Sequence, residues 1–236
     1  MAITLEAMAA EIEELKKEVE KNRAYAACSN LMGRYSYYHS AARQKEYMTL
    51  WAKRDDDVLE MPWGIYDGYD SIYKCYVEDH GDRSDWDEKM LHGPACLFMH
   101  HLDTTVLQVS DDGLTARGAW LSPGHSTLPS RDNPGKFEAG WQFSKYGVDF
   151  IKEDGVWKIW HMRIYPLFKT PYGVSWGDQP PMDLKDYPTE QCDRGPSEYP
   201  FGFRMDTPYP ADQPDPPTPY ATFADVGESF FKSLKP

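Results

Sequence analysis

Around residue 98 the hydrophobic pattern of this chain changes period, and that change limits the folds open to it more than any other feature. Residues 98–109, 114–122, 139–152 and 156–168 alternate apolar and polar side chains at a spacing of two, the repeat of strands with one buried face. Turn signals separate them: Asp111-Asp112-Gly113, Asp132-Asn133-Pro134-Gly135 and Glu153-Asp154-Gly155. Upstream the apolar spacing is three and four, the repeat of helices. Helices first and an antiparallel meander afterwards make an α+β domain, with the N-terminal helices covering one face of a curved antiparallel sheet.

Residues 1–21 read as an amphipathic helix. Leu5, Met8, Ile12, Leu15 and Val19 form one stripe, and Thr4 is placed to cap it. The stripe covers about two heptads, too few by itself to define a coiled coil, and is expected to pack on the domain or on a second subunit. Helical spacing continues from Asn22 to about Trp51 through Leu31, Tyr35, Tyr38 and Met48, with a break near Ser40–Gln44. A short strand and a Pro/Gly turn follow, then a third helix over Tyr69–Glu78 and a polar linker over Asp79–Lys89. The α+β domain is expected to span residues 22–168.

Beyond Pro166 the composition shifts. Of the 19 prolines, 14 lie from Pro166 onward, which rules out a regular core there. Residues 169–236 are read as an extended Pro-rich tail whose aromatics (Trp176, Tyr187, Tyr199, Phe201 and Phe203) favour docking over free disorder.

Charge narrows the partners. A net charge of −13 lacks the basic stripe that a phosphate backbone wants and disfavours docking on an anionic membrane. Nucleic acid and membrane are therefore not expected partners. The four cysteines, Cys28, Cys75, Cys96 and Cys192, show no paired spacing and read as reduced thiols. With an acidic N-terminus and no apolar run of about 18 residues, the expected location is the cytoplasm. An aromatic content of 14% suits a pocket for a ring-bearing ligand, though aromatics also fill ordinary cores.

Two stretches resemble a known family. The first is Asp57-Val58-Leu59-Glu60-Met61-Pro62-Trp63-Gly64-Ile65-Tyr66-Asp67-Gly68-Tyr69-Asp70-Ser71-Ile72. The second is Tyr146–Tyr165, centred on Asp154-Gly155-Val156-Trp157-Lys158-Ile159, with His100-His101 between the two. Their order and spacing over roughly residues 22–168 resemble the SnoaL-like group of the nuclear transport factor 2-like superfamily. The resemblance implies a strongly curved sheet closed by helices into a cone. It also implies acid–base chemistry like that of the group's cyclases, isomerases, dehydratases and lignin-derived diarylpropane lyases. At His39-Ser40 the chain departs from the group, many of whose members carry Asp there, which bears on any mechanism using a first-helix carboxylate. The long tail resembles the larger lyase-type members.

Strict alternation assigns the faces. Trp157, Ile159, His161, Arg163 and Tyr165 share one side of the last strand, and Tyr146 shares one with Val148 and Phe150. Leu107 and Val109 extend their parity to His101 and Asp103 if no bulge intervenes, and Trp120 shares a face with Ser122. The expected catalytic residues are Tyr35, His101 and His161. His39, Asp103, Trp120, Tyr146, Arg163 and Tyr165 are expected to bind substrate. His100 is the alternative to His101, and His125 is expected outside the cone in a Pro/Gly loop. Histidine exchanges protons near neutral pH, tyrosine donates to a developing oxyanion and arginine holds a phenolate or enolate. Each of these residues also has a plain structural use, as a satisfied strand histidine, a packed tyrosine or an ion-paired arginine.

His101, Asp103 and His125 could in principle ligate a metal, but no second His-rich or paired-Cys motif supports one. The chain also lacks GxGxxG after a strand, a phosphate-binding loop and a G-x-S-x-G elbow. The reading is a cofactor-independent lyase acting on a hydroxylated aromatic small molecule, with the resemblance pointing to γ-formaldehyde elimination from a diarylpropanediol to give a stilbene. The alternatives are a dehydratase or ketosteroid-type isomerase on a polycyclic substrate, or a non-catalytic binding domain. A homo-oligomer, dimer or trimer, is expected to cover the open sheet face and the aromatic tail. Turnover should survive dialysis against EDTA, and activity lost to the chelator and restored by a divalent ion would overturn the cofactor-free reading.

Overall fold

The Thr4 hydroxyl accepts a hydrogen bond from the Ala7 amide at 3.2 Å and starts helix α1 (Leu5–Ser40), which runs 36 residues without a break. The computed structural model describes residues 4–79, 95–130, 133–178, 189–197 and 213–225. The two halves of α1 have different surroundings. Residues 4–20 are exposed throughout, so the stripe does not pack on the domain. From Ala24 onward the helix lies on the sheet, burying Ala24, Cys28, Leu31, Met32 and Tyr35 at spacings of three and four. A turn at Ala41–Arg43, where Ala42 takes a φ of 53°, separates it from α2 (Gln44–Met48).

Strands β1 (Val58–Met61) and β2 (Gly64–Asp67) form a tight antiparallel pair. Helix α3 (Tyr69–Tyr73) follows and loosens into a π-type turn over Lys74–Asp79, matching the expected third helix. The remainder of the expected polar linker lies outside the described residues.

The meander is β3 (Leu97–His100), β4 (Asp103–Val109), β5 (Thr115–Pro129), β6 (Phe137–Glu153) and β7 (Val156–Pro171). The seven strands make one sheet in the order β2-β1-β7-β6-β5-β3, with β4 also on β5 and β1 parallel to β7. Residues 98–109 are therefore two strands rather than one. They part at His101-Leu102, and within β4 the register shifts between Asp103 and Val106, where Thr104 takes a φ of 53°. The fold is α+β, a curved, unclosed sheet with helices on one face. Inward residues include Leu107, Ala116, Trp120, Tyr146, Val148, Phe150, Ile159 and Met162, which join the helix residues in a single core. Gly118 makes room there, since a Cβ would meet the Trp120 ring at 2.2 Å.

Two described pieces of the C-terminal segment contact the domain. Arg194 bridges Ile65 by backbone hydrogen bonds at 2.9 and 3.2 Å, and its guanidinium grips Asp67 with two contacts of 2.6 Å. Beside it Gly64 is held bare by Cys192, whose Sγ would lie 2.3 Å from an added Cβ. Further on, the carbonyls of Tyr220 and Ala221 accept from the Asp111 and Asp112 amides. Trp176 stacks on Phe168 at 5.3 Å, whereas Tyr187, Tyr199, Phe201 and Phe203 lie outside the described residues. No described helix is long and apolar enough to cross a membrane.

Asp57, just before β1, is fully buried, and its Oδ1 meets no hydrogen-bond donor among the described residues. Burial pushes its pKa up to about 8. An unfolded Asp ionises near about 3.9, so between there and 8 the folded state keeps a proton that the unfolded chain loses. Stability from this group therefore falls as pH rises through that window. Asp57→Asn should raise the melting temperature at pH 8, with the gain shrinking toward pH 4. Thermal unfolding with a gain independent of pH would contradict this account.

Candidate active site

The side chains on the inner face build a site in two tiers. The lower tier is four buried tyrosines. The hydroxyls of Tyr35, from α1, and Tyr146, from β6, are 3.4 Å apart. Tyr47, from α2, packs edge-on against Tyr35 at 4.9 Å and against Tyr76 at 4.4 Å. Burial holds all four hydroxyls above the ordinary tyrosine pKa, so they remain protonated donors at neutral pH. Ser122 stands within reach of Tyr146, and Trp120 lies opposite Tyr146 in the β5–β6 register.

The upper tier is half-buried. His39 follows Tyr35 by one helical turn and stacks on it at 5.6 Å. Its ring lies 5.0 Å from that of His100 and 5.5 Å from Phe98. Two first-helix serines fix the backbone of β3. Ser36 donates to the His100 carbonyl at 2.5 Å, and the His100 amide donates to Ser40 Oγ at 3.2 Å. Gln142 Nε2 is 3.1 Å from His100 Nε2, so the amide donates to the ring in the tautomer that leaves Nε2 bare. Burial, then the charges of Lys169 and His101, push the His100 pKa down to about 4. His100 is thus a neutral imidazole at pH 7, able to accept a proton.

Of the expected site residues, the structure brings together Tyr35, His39, Trp120 and Tyr146. It puts the others elsewhere, for two local reasons. In β7 an extra residue, Trp160, sits between Ile159, opposite Phe150, and His161, opposite Asp149. The bulge reverses the alternation. Met162 and Ile164 turn inward, while His161, Arg163 and Tyr165 turn to the outer face. In β4 the break at Thr104 does the same, leaving Asp103 exposed and opposite Leu121. His101 follows its inward neighbour His100 and stacks instead on His125 at 5.4 Å. His125 itself lies within β5 rather than in a loop.

The outer face carries a buried ionic layer. Arg117 Nε meets Asp149 Oδ1 at 2.7 Å, and His161 Nδ1 meets Asp149 Oδ2 at 3.0 Å. Arg163 Nε meets Glu60 at 3.1 Å, a carboxylate that also accepts from Ser197, and the Arg163 guanidinium lies over Tyr165 at 4.6 Å. Phe223 covers Trp160 and His161, with ring centroids at 4.6 and 5.8 Å. Among the described residues no three His, Cys, Asp or Glu side chains are grouped to hold a metal ion.

The SnoaL-like domain model matches residues 20–163, more than half the chain. The chain belongs to the SnoaL-like family. Among curated proteins none matches it in sequence. Among solved structures, a hexachlorocyclohexane dehydrochlorinase, LinA type 2, is 17% identical with a TM-score of 0.51, covering 70% of this chain and 99% of that one. LinA type 3 from Novosphingobium barchaimii is 16% identical with a TM-score of 0.48, over 69% and 99% of the two chains. A presumed scytalone dehydratase from Novosphingobium aromaticivorans is 20% identical with a TM-score of 0.46, over 64% and 89%. At these identities the likeness establishes the fold alone.

The inner face of this SnoaL-like chain thus has His100, Gln142, Tyr47 and Tyr76 as polar groups beyond those expected. Tyr47 and Tyr76 carried a signal, as aromatics at helical spacing. Nothing in Asp103-Thr104-Thr105 marks the break that hands the inward position to His100. The outer layer has its own consequence. Arg117→Met strands the Asp149 carboxylate without its closest cation, and breaking a buried pair this way costs about 3–5 kcal/mol. Urea unfolding should show a loss of that order, and a loss within error would mean the layer contributes nothing to stability.

Proposed function

We propose that this chain is a cofactor-independent lyase that eliminates a small leaving group from a neutral, ring-bearing molecule seated against His39, Phe98, His100 and Gln142. The observation that carries the reading is the His39–His100 pair, 5.0 Å apart, standing above hydrogen-bond donors that cannot readily ionise. In this mechanism the substrate displaces the Gln142 amide from His100 Nε2, and that nitrogen of the neutral ring, its lone pair then free, takes a proton from the substrate. The electrons of that bond form the new double bond, and the leaving group departs with its own pair. Tyr35 and Tyr146 donate to the oxygen on which charge develops, and His39 returns a proton to the leaving group. The inner groups are hydroxyls, imidazoles and an amide, a set that suits proton transfer better than ligation of a hard metal ion.

The activity for which LinA type 2 is named, a dehydrochlorination, is an elimination of this kind and supports the class of reaction. Loss of water and of hydrogen halide differ only in the leaving group, whereas formaldehyde loss takes the proton from the primary hydroxyl. Its O–H pair becomes the carbonyl of formaldehyde, the C–C pair becomes the stilbene double bond, and the benzylic hydroxyl departs as water. The finer reading, γ-formaldehyde loss from a lignin-derived diarylpropanediol, rests on the sequence resemblance. Incubation with hydroxylated diaryl and polycyclic substrates, with mass analysis of the product and formaldehyde trapping, separates these outcomes. Unchanged substrate throughout would favour a binding domain.

His100→Gln should lower kcat by about 10²–10⁴-fold, the usual worth of a positioned base, and Tyr146→Phe by roughly 10²-fold. His101→Gln and His161→Gln should keep wild-type turnover, although the second also loosens the outer ionic layer. In the wild type the acid limb of kcat/KM should fall near pH 4 rather than near the ordinary histidine value of about 6.5. Full activity in His100→Gln with loss in His161→Gln would move the chemistry to the outer face.

A further inference from the structure

We propose that the exposed N-terminal half of α1 pairs with the same segment of a second copy of this chain, as a parallel two-stranded coiled coil. Residues 4–19 stand clear of the domain, Glu20 reaching Lys152 of β6 at 3.8 Å, yet Ile12, Leu15 and Val19 are 52%, 57% and 47% exposed. A segment of about 15–17 residues rises roughly 22–25 Å, and helices of that length are marginal in water without a packed face. The continuity of α1 through Asn22 lets the heptad register run on to Arg23, beyond the two heptads of the apolar stripe alone. In that register Leu5, Ile12 and Val19 take the first core position and Met8 and Leu15 the second. β-Branched Ile12 and Val19 at the first position with Leu15 at the second favour two parallel strands, and Leu5 and Met8 complete the apolar stripe.

The flanking charges then choose the orientation. Glu11 and Glu18 line one edge of the stripe, and Lys16 and Arg23 line the other. In a parallel pair in register, an acid on one edge faces the base five residues further along the other helix. Glu11 thereby meets Lys16 of the partner subunit, and Glu18 meets Arg23 of the partner subunit. An antiparallel pair would set acid edge against acid edge and base against base. Within one copy Lys16 and Arg23 rest on Glu13 and Glu20 at 2.6 and 2.7 Å, exposed pairs one turn away that exchange easily. Neither sheet face takes part, so the association is independent of the reading of the inner site.

Light scattering of the full chain should give twice 27.2 kDa, and Ile12→Asp with Leu15→Asp should return it to 27.2 kDa with the thermal transition of the α+β domain kept. Met8→Cys tests the orientation, because a parallel register sets the two Cys side chains against each other. Mild oxidation should then link the variant into a disulfide dimer while the wild type, with its own four cysteines, stays unlinked. A one-copy wild type, a dimer that survives the double Asp variant, or a Met8→Cys chain that does not link would each overturn the proposal.

Discussion

One extra residue in β7 decides which way the polar side chains beyond it point. Without the bulge at Trp160, His161 and Arg163 would continue the inward parity of Trp157 and Ile159, and Met162 and Ile164 would face out. The bulge exchanges the sets, and the exchange suits both faces. Asp149 and Arg117, across β6 and β5, already face outward in register, and the bulge delivers His161 to them. A carboxylate with no exposure needs such partners, because burying an isolated charge is far more costly than any packing gain returns. The inner face, relieved of a guanidinium and an imidazole, packs Met162 and Ile164 against the tyrosines.

The ionic layer in turn gives the C-terminal segment something to dock on. Phe223 closes over Trp160 and His161, while the Tyr220 hydroxyl reaches Thr115 at 3.2 Å. At the other edge Arg194 clamps the β1–β2 pair through Asp67, and Ser197 completes the partners of Glu60. A proline-rich chain cannot add strands of its own, so it contributes by excluding water from charges that the sheet has placed together. The consequence reaches the inner face indirectly, because the same strands carry Tyr146 and Leu59 on their other side.

Much of the fold was legible in the sequence, and the reason is physical. Helical and strand periods are set by burial over many residues, so the change near residue 98, the break after Ser40 and the three turn signals survive any single irregular position. Tyr35, His39, Trp120 and Tyr146 were readable for the same reason, each lying in an uninterrupted run. His161, Arg163, Tyr165 and Asp103 were not. A one-residue bulge reverses every face beyond it, and neither Trp160 nor Thr104 is a glycine or proline that would announce one. The trail ran in the wrong direction too: apolar Trp157 and Ile159 argued for an inward His161 when the reversal came directly after them. The helical stripe at the N-terminus was legible as a stripe, but whether the domain would cover it depends on where α1 meets the sheet.

The distribution of charge bears most directly on chemistry. The chain carries a net charge of −13, yet the charged groups acting on His100 are Lys169 and His101, both basic. The acids that the strands bury, Glu60 and Asp149, face the other way, each matched to a cation. On the proposed lyase reading, an anion developing beside His39 and His100 would therefore meet protonated tyrosine hydroxyls and a nearby ammonium rather than carboxylates. A substrate that arrives already anionic would approach against the field of the whole molecule, whereas a neutral one would not. The arrangement thus favours a neutral molecule that becomes negative only in the course of reaction, which is the charge history of an elimination that begins with loss of a proton.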